Sequence, residues 1–136
     1  MLVLTAGGRG DVTHSHKLWE FNNGPDVPTP VTDGNLLYVV TDRGVVHALE
    51  LRTGKRVYGP QRLAPGTYSA SPVLADGKIY ITSEDGVTSV FKSGSIFELL
   101  AANHLDDYTL SSIAVKDGQL FLRTSSTLWA IGKRVN

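Results

Sequence analysis

The residue types best suited to chemistry lie in one short segment, Arg9-Gly-Asp11-Val-Thr-His14-Ser-His16. His14 and His16 alternate, so on a β-strand both imidazole rings would face the same side. That spacing is compatible with a pair of metal ligands, and Asp11 could supply a third. The alternative is that these side chains are solvated or cap a loop. The sequence offers a candidate metal site here and no candidate catalytic residue.

Other kinds of chemistry are excluded by composition. The 136 residues contain no cysteine, which removes disulfides, thiolate metal ligands and a cysteine nucleophile. Thirteen basic and thirteen acidic side chains balance, and no Lys/Arg cluster accompanies the aromatic residues, so nucleic acid is not an expected partner. The sequence contains no run of about 18 apolar residues, which is the length that a membrane-spanning helix needs. The N-terminal residues lack the basic region that begins a signal peptide.

The elements that position these residues are predicted by an internal repeat. Asp-Gly pairs stand at 33–34, 76–77 and 117–118, each between two runs rich in Val, Ile, Leu and Tyr. Such a pair suits a type I′ hairpin turn, whose two central residues need positive φ. A period of 41 to 43 residues with several short strands is typical of the blades of a β-propeller.

Each period has room for four antiparallel strands, which is one blade. In the first unit, Leu2–Thr5 is predicted as strand two, the Arg9–His16 segment stands in the place of strand three, and 17–21 is strand four. In the last unit, no fourth strand follows. The sequence therefore predicts an all-β partial propeller of three to four blades, in units 1–23, 24–63, 64–104 and 105–136.

Such an arc cannot close into a ring by itself, because closed propellers have four to eight blades. Two explanations stay open. The chain is a piece of a longer protein, which we favour, or copies assemble as a homo-oligomer in which partial blades complete one another.

The segment from Ala48 to Tyr58, Ala-Leu-Glu-Leu-Arg-Thr-Gly-Lys-Arg-Val-Tyr, resembles the tryptophan-docking motif of the pyrroloquinoline-quinone (PQQ)-like propellers. That motif runs Ala-x-Asp-x-x-Thr-Gly-Lys-x-x-Trp, so Glu50 replaces its Asp and Tyr58 its Trp. Trp19 resembles the docking tryptophan of the first unit. The ending, residues 128–132, is similar to the C-terminal portion of uncharacterised bacterial members. The resemblance implies that a large aromatic residue packs between neighbouring blades.

The resemblance also bears on cofactors and location. Quinone-dependent members hold PQQ in the central channel with a calcium ion bound by Glu, Asn and Asp, and many have a vicinal cysteine pair. The sequence has no cysteine and no such ligand set at a recognisable spacing, so neither PQQ nor calcium is expected. Members are commonly exported, which implies an extracytoplasmic, periplasmic parent protein, although this chain carries no signal peptide.

Propeller geometry places the loops between blades and the turns between strands two and three on one face. Binding residues concentrate on such loops because the blades hold them rigidly. The predicted ligand-binding rim on this face consists of Tyr68, Ser69, Tyr108, Asp42, Arg43 and Glu84. The alternative for each tyrosine is that it packs under its own loop.

The leading hypothesis for function is a non-catalytic binding or scaffold module. Protein, peptide and carbohydrate partners all remain open. One alternative is a degenerate quinone- or metal-dependent oxidoreductase. Another is a fragment whose function lies in a longer parent chain.

Overall fold

A computed structural model describes residues 1–132, and in that part the chain forms thirteen β-strands and no helix. The last four residues of the predicted fourth unit, 133–136, lie outside the described residues. The strands are β1 (Leu2–Leu4), β2 (Lys17–Glu20), β3 (Val31–Thr32), β4 (Leu36–Val40), β5 (Val45–Glu50), β6 (Arg56–Arg62), β7 (Val73–Ala75), β8 (Lys78–Thr82), β9 (Val87–Lys92), β10 (Leu99–His104), β11 (Ala114–Lys116), β12 (Gln119–Arg123) and β13 (Leu128–Ile131).

The strands form four antiparallel sheets whose strand order follows the chain. The first unit is the pair β1–β2, the first full blade is β3–β6, the second full blade is β7–β10, and the last unit is the three-stranded sheet β11–β13. Each of the two middle sheets is a four-stranded meander, as a propeller blade requires. The prediction of an all-β fold built from four-stranded antiparallel blades is confirmed.

The Asp-Gly turns follow the prediction at two of the three sites. Asp76 and Asp117 have φ of 48° and 50°, and the glycine after each is also positive, as a type I′ turn requires. At Asp33 only the following glycine has a positive φ, so the prediction of a type I′ turn is wrong there. The hairpin has the same register as the second one, but the Asp-Gly pair stands one residue earlier in it. The Asp33 carboxylate accepts the backbone N–H of Asn35 and Leu36, at 2.9 and 2.8 Å, and so holds the turn.

The first unit differs from the sequence prediction. Val3 lies opposite Trp19 across the β1–β2 ladder, just as Ala48 lies opposite Tyr58 across β5–β6. The strand β1 is therefore strand three of its blade rather than strand two, because strands two and four of a blade are not neighbours. The Arg9–His16 segment is the loop between strands three and four, not a strand.

Local hydrogen bonds explain why that segment leaves the extended conformation. The Asp11 carboxylate accepts the backbone N–H of Thr13 at 3.0 Å, and His16 N–H donates to the carbonyl of Val12 at 3.0 Å. Short polar side chains that bond the nearby backbone compete with sheet formation. Gly10, with φ of +70°, bends the chain further.

The core lies between the blades, not within a single sheet. One cluster joins the first full blade to the second and includes Tyr38, Val46, Tyr68, Ile79 and Phe91, all fully buried. A smaller cluster joins the first unit to the first full blade. The second full blade and the last unit enclose an apolar cleft of about 190 Å³, lined in part by Val90, Leu120 and Ile131.

Hydrogen bonds also repeat from blade to blade near the innermost strands. Thr29 N–H donates to the hydroxyl of Ser71 at 3.0 Å, and Ser71 N–H donates to the hydroxyl of Ser112 at 2.9 Å. The tyrosine Tyr38 adds a second type of link, because its hydroxyl donates to Asp33 at 2.7 Å and accepts the N–H of Gly94, in the next blade, at 2.7 Å. Neighbouring blades are thus joined by polar as well as apolar contacts.

Candidate functional site: the loop face and an arginine-lined cleft

The loop face is the side of the arc formed by the connecting loops between blades (23–30, 64–72 and 105–113) and the turns between strands two and three (41–44, 83–86 and 124–127). Asp42, in the first of these turns, fixes the first loop because its carboxylate accepts the N–H of Asp26 and of Val27 at 2.9 and 3.1 Å. Its carbonyl accepts the N–H of Tyr68 from the next loop at 2.8 Å. The turn is therefore bonded to the loops on both sides of it.

The same arrangement recurs one blade further on. The carboxylate of Glu84 accepts the hydroxyl of Ser69 at 2.5 Å, and its carbonyl accepts the N–H of Thr109 at 3.0 Å. In the last unit the donor and the acceptor change places: the carboxylate, Asp107, lies in the loop, and the hydroxyls of Ser125 and Ser126 in the turn donate to it. These hydroxyl bonds hold the pKa of Asp107 below its ordinary value. The loops form a continuous bonded rim.

The predicted rim residues fall into two groups. Arg43 is exposed and Tyr108 is 51% exposed, so both side chains are accessible from the loop face. Asp42, Ser69 and Glu84 are half-buried and their polar atoms are engaged in the loop bonds described above. Tyr108 and Arg43 lie on different blades and line different surface depressions.

For Tyr68 the structure places the side chain in the core and not on the rim surface. It is fully buried, its hydroxyl donates to the carbonyl of Ala64 at 2.7 Å, and its ring lies against Gly44. A Cβ added to Gly44 would stand 2.5 Å from a ring carbon of Tyr68. The tyrosine packs under its own loop, the alternative raised from the sequence, because the turn beneath it carries a glycine that leaves room for the ring.

The candidate metal ligands Asp11, His14 and His16 are not brought together. They occupy the loop between β1 and β2, where alternation no longer places both imidazoles on one side. One nitrogen of His16 bonds the hydroxyl of Ser15 at 2.8 Å, and Asp11 accepts a backbone N–H. Across residues 1–132, no three His, Asp or Glu side chains are grouped so as to hold a metal ion. The strand on which that expectation rested is not formed by this segment, and the metal site itself stays a prediction.

The expectation that the chain binds neither PQQ nor calcium stays a prediction from the sequence, which has no cysteine pair to lie against a quinone. We derive no chemistry through such a cofactor.

Trp19 behaves as the docking tryptophan that the sequence motif implies. It is 8% exposed, its Nε1–H donates to the carbonyl of Leu51 at 3.0 Å, and its ring lies on Gly54. A Cβ on Gly54 would stand 2.5 Å from the indole, so only glycine permits this contact. Tyr58 departs from the pattern, since its ring packs against Phe97 with 5.8 Å between centroids. A Cβ on Gly94, the matching glycine of the next blade, would meet nothing within 4 Å.

The comparisons with known proteins agree with this architecture. A family model described as outer membrane protein assembly factor BamB matches residues 11–119. The chain belongs to this family of PQQ-like propellers. No curated protein matches the sequence significantly. The family assignment accounts for the repeated blades, for the aromatic docking at Trp19 and for the absence of helices in the described part of the chain.

Two solved structures resemble this BamB-family chain in fold. BamB from Moraxella catarrhalis has a TM-score of 0.66 and 15% identity, over 90% of this chain and 41% of that one. The computationally designed Ika4 protein has a TM-score of 0.57 and 15% identity, over 76% of this chain and 64% of that one. The chain thus spans less than two thirds of the length of either match.

A cleft of about 490 Å³, which the sequence did not predict, opens on the loop face of the first full blade. Its arginines come from the turn after β4 and from the outer strand β6, and His47 comes from β5 between them. The lining is Asn23, Gly24, Asp26, Thr41, Asp42, Arg43, Val45, His47, Arg56, Pro60 and Arg62. Only Asp42 and Arg43 belong to the predicted rim.

The sequence signal that could have found this cleft is the pairing register. Val45 lies opposite Arg62 and Leu49 opposite Arg56 in the β5–β6 ladder, so the two arginines flank His47 on the neighbouring strand. A strand-four segment with arginine at both ends, beside a strand containing a histidine among apolar residues, places three basic side chains near one another. Burial lowers the pKa of His47, and the nearby Arg56 lowers it further.

No helix in the described part of the chain is long and apolar enough to cross a membrane.

Proposed function

We propose that the chain is part of a non-catalytic, protein-binding propeller scaffold that serves in outer membrane protein assembly. The family description supplies the process, and the fold supplies a rigid platform with a bonded rim of loops. The observation that carries the proposal is the open, arginine-lined cleft on that face. An open cleft lined by three arginines suits a macromolecular partner better than the enclosed pocket typical of a small-molecule site.

An enzymatic function receives less support. The acidic side chains with lowered pKa, such as Asp33 and Asp107, accept hydrogen bonds that build turns. Perturbed groups of that type are structural, because each has a backbone or hydroxyl partner that explains its shift. His47 is perturbed by burial and lacks a carboxylate or nucleophile bonded to it among the described residues.

The experiment is a titration of a fluorescently labelled, unfolded β-barrel outer membrane protein with the full chain, followed by anisotropy immediately after dilution from urea. A folded, soluble protein of similar size is the control. Saturable binding of the unfolded barrel, with none to the control, supports the proposal. Equal binding to both proteins, or none to either, would overturn it.

A further inference from the structure

We propose that the arginine-lined cleft is the docking site for an acidic segment of a protein partner, recognised through its carboxylate side chains. This inference rests on the proposed function and names the chemistry of the partner. It is carried by the charge of the cleft, by the state of its two acids, and by the buried histidine in its wall.

The positive charge of the cleft is not neutralised within the described part of the chain. Arg43, Arg56 and Arg62 are exposed, and none of them has a carboxylate oxygen within salt-bridge distance among residues 1–132. The ion pairs of that region lie elsewhere and all use lysine. Arginine presents a planar fork of donors that matches a carboxylate with two parallel bonds, which suits it to recognition better than lysine.

Two acids also line the cleft, and they do not cancel its charge. Both carboxylate oxygens of Asp42 are taken by backbone N–H groups of the adjoining loop. Asp26 is the other acid, and three arginines against two aspartates leave an excess of one positive charge. Because Asp42 is bound by fixed dipoles of the loop, its charge is already compensated locally, and the arginines face the remaining space of the cleft.

His47 provides the independent observation. Its side chain lines the cleft yet is only 4% exposed, and its Nδ1 has no hydrogen-bond partner among the described residues. The ring packs edge-on against Phe21, with 5.1 Å between centroids, so an aromatic residue lies behind the imidazole. A buried polar atom without a partner is uncommon in folded proteins and calls for a local explanation. The Nδ1 atom itself lies beside Gly59 and is not open to the cleft. A carboxylate bound in the cleft would therefore favour the protonated imidazole through its charge and not through a bond to Nδ1.

The test measures binding of a labelled peptide of alternating glutamate and glycine to the full chain. The cleft variant is the double substitution Arg56→Gln/Arg62→Gln, and the matched control is Arg52→Gln/Lys116→Gln. The control removes the same charge from exposed positions outside the cleft. We expect the cleft variant to bind about tenfold more weakly or worse, and the control to change affinity about twofold or less. Equal losses in both variants would show non-specific attraction and would overturn the inference.

Two further arms complete the experiment. In ¹H–¹³C NMR spectra, the acidic peptide should move the His47 ring resonances and raise the pKa of His47, and unchanged resonances would argue against the site. Inorganic phosphate that competes as strongly as the peptide would reassign the cleft to phosphate groups, which contradicts the carboxylate assignment.

The two proposals can fail separately. If the cleft variant still binds the unfolded outer membrane protein as tightly as the unaltered chain, the scaffold function stands and the docking site is wrong. If the peptide binds in the cleft but the unfolded protein does not bind, the docking site stands and its assigned partner is wrong.

Discussion

The substitution Tyr38→Phe tests whether polar contacts between blades contribute to stability. It removes only the hydroxyl, which donates to the Asp33 carboxylate and accepts the N–H of Gly94 in the next blade, both at 2.7 Å. Burial and the bond to Asp33 both raise the pKa of Tyr38 well above its ordinary value, so it is a neutral donor at neutral pH.

The expected loss follows from these two bonds. A hydrogen bond to a charged group contributes about 1.5–3 kcal/mol to stability, and a neutral one about 0.5–1.5 kcal/mol. Asp33 keeps two backbone donors on its other oxygen, and Gly94 is half-buried, so water can partly replace the hydroxyl at both ends. The lower ends of the two ranges therefore apply. We expect Tyr38→Phe to lower the free energy of unfolding by about 2 kcal/mol.

The repeat supplies a matched control in Tyr80→Phe. Tyr80 faces Val90 across its ladder as Tyr38 faces Ala48, but its hydroxyl bonds no described residue. Urea unfolding of both variants, followed by far-ultraviolet circular dichroism, should show a loss for Tyr38→Phe and a change within about 0.5 kcal/mol for Tyr80→Phe. Equal changes in the two variants would refute the reasoning, because the hydroxyl bonds would then contribute nothing beyond those of an unbonded tyrosine.

Two other predictions concern stability. Gly54→Ala should lower the free energy of unfolding by about 1–3 kcal/mol more than Gly118→Ala, because both glycines have φ near +70° but only a Cβ at Gly54 would clash with Trp19. In a Trp129→Phe background, Trp19 fluorescence reports the unfolding. Equal losses in the two variants would contradict the docking contact. His47 has a lowered pKa, so the unfolded chain binds its proton more readily: the stability it contributes is complete above about pH 6.5 and is lost as pH falls. His47→Gln should therefore lose less stability between pH 7 and pH 5 than the unaltered chain in urea titrations, and identical pH profiles would argue against a buried neutral imidazole.

The blades could be predicted from the sequence because their signals are local. The Asp-Gly pairs mark hairpins by the backbone conformation they tolerate, and the Thr53-Gly54 turn marks the seat of a docking aromatic residue. Trp19 was placed correctly for the same reason, since its role depends on a glycine in a recognisable turn. In the first hairpin the Asp-Gly pair stands one residue too early, so Gly34-Asn35 occupy the turn positions that Asp76-Gly77 occupy in the second, and the ladder register reveals the change.

The site could not be predicted to the same degree, because it depends on contacts between distant segments. The burial of Tyr68 depends on the space above Gly44, which lies more than twenty residues earlier in the chain. The arginine-lined cleft depends in addition on Asn23 and Asp26 of the first loop, which come to lie beside the β5–β6 hairpin although they are far from it in the sequence. The wrong prediction for the first unit has a related cause. A short strand has no sequence feature that shows its position in the blade, and β1 is identified as strand three only by its pairing with β2.

The hydrogen bonds that link neighbouring blades near their innermost strands all point the same way along the arc. Each step runs from a backbone N–H of one blade to a hydroxyl of the next, from Thr29 to Ser71 and from Ser71 to Ser112. The two flanks of any blade are consequently unlike, one donating and the other accepting. A two-fold axis would place donor against donor, whereas a rotation that repeats the same step pairs every donor with an acceptor. A further blade, from this chain or from another copy, must therefore join head to tail, with a hydroxyl opposite the N–H of Ser112.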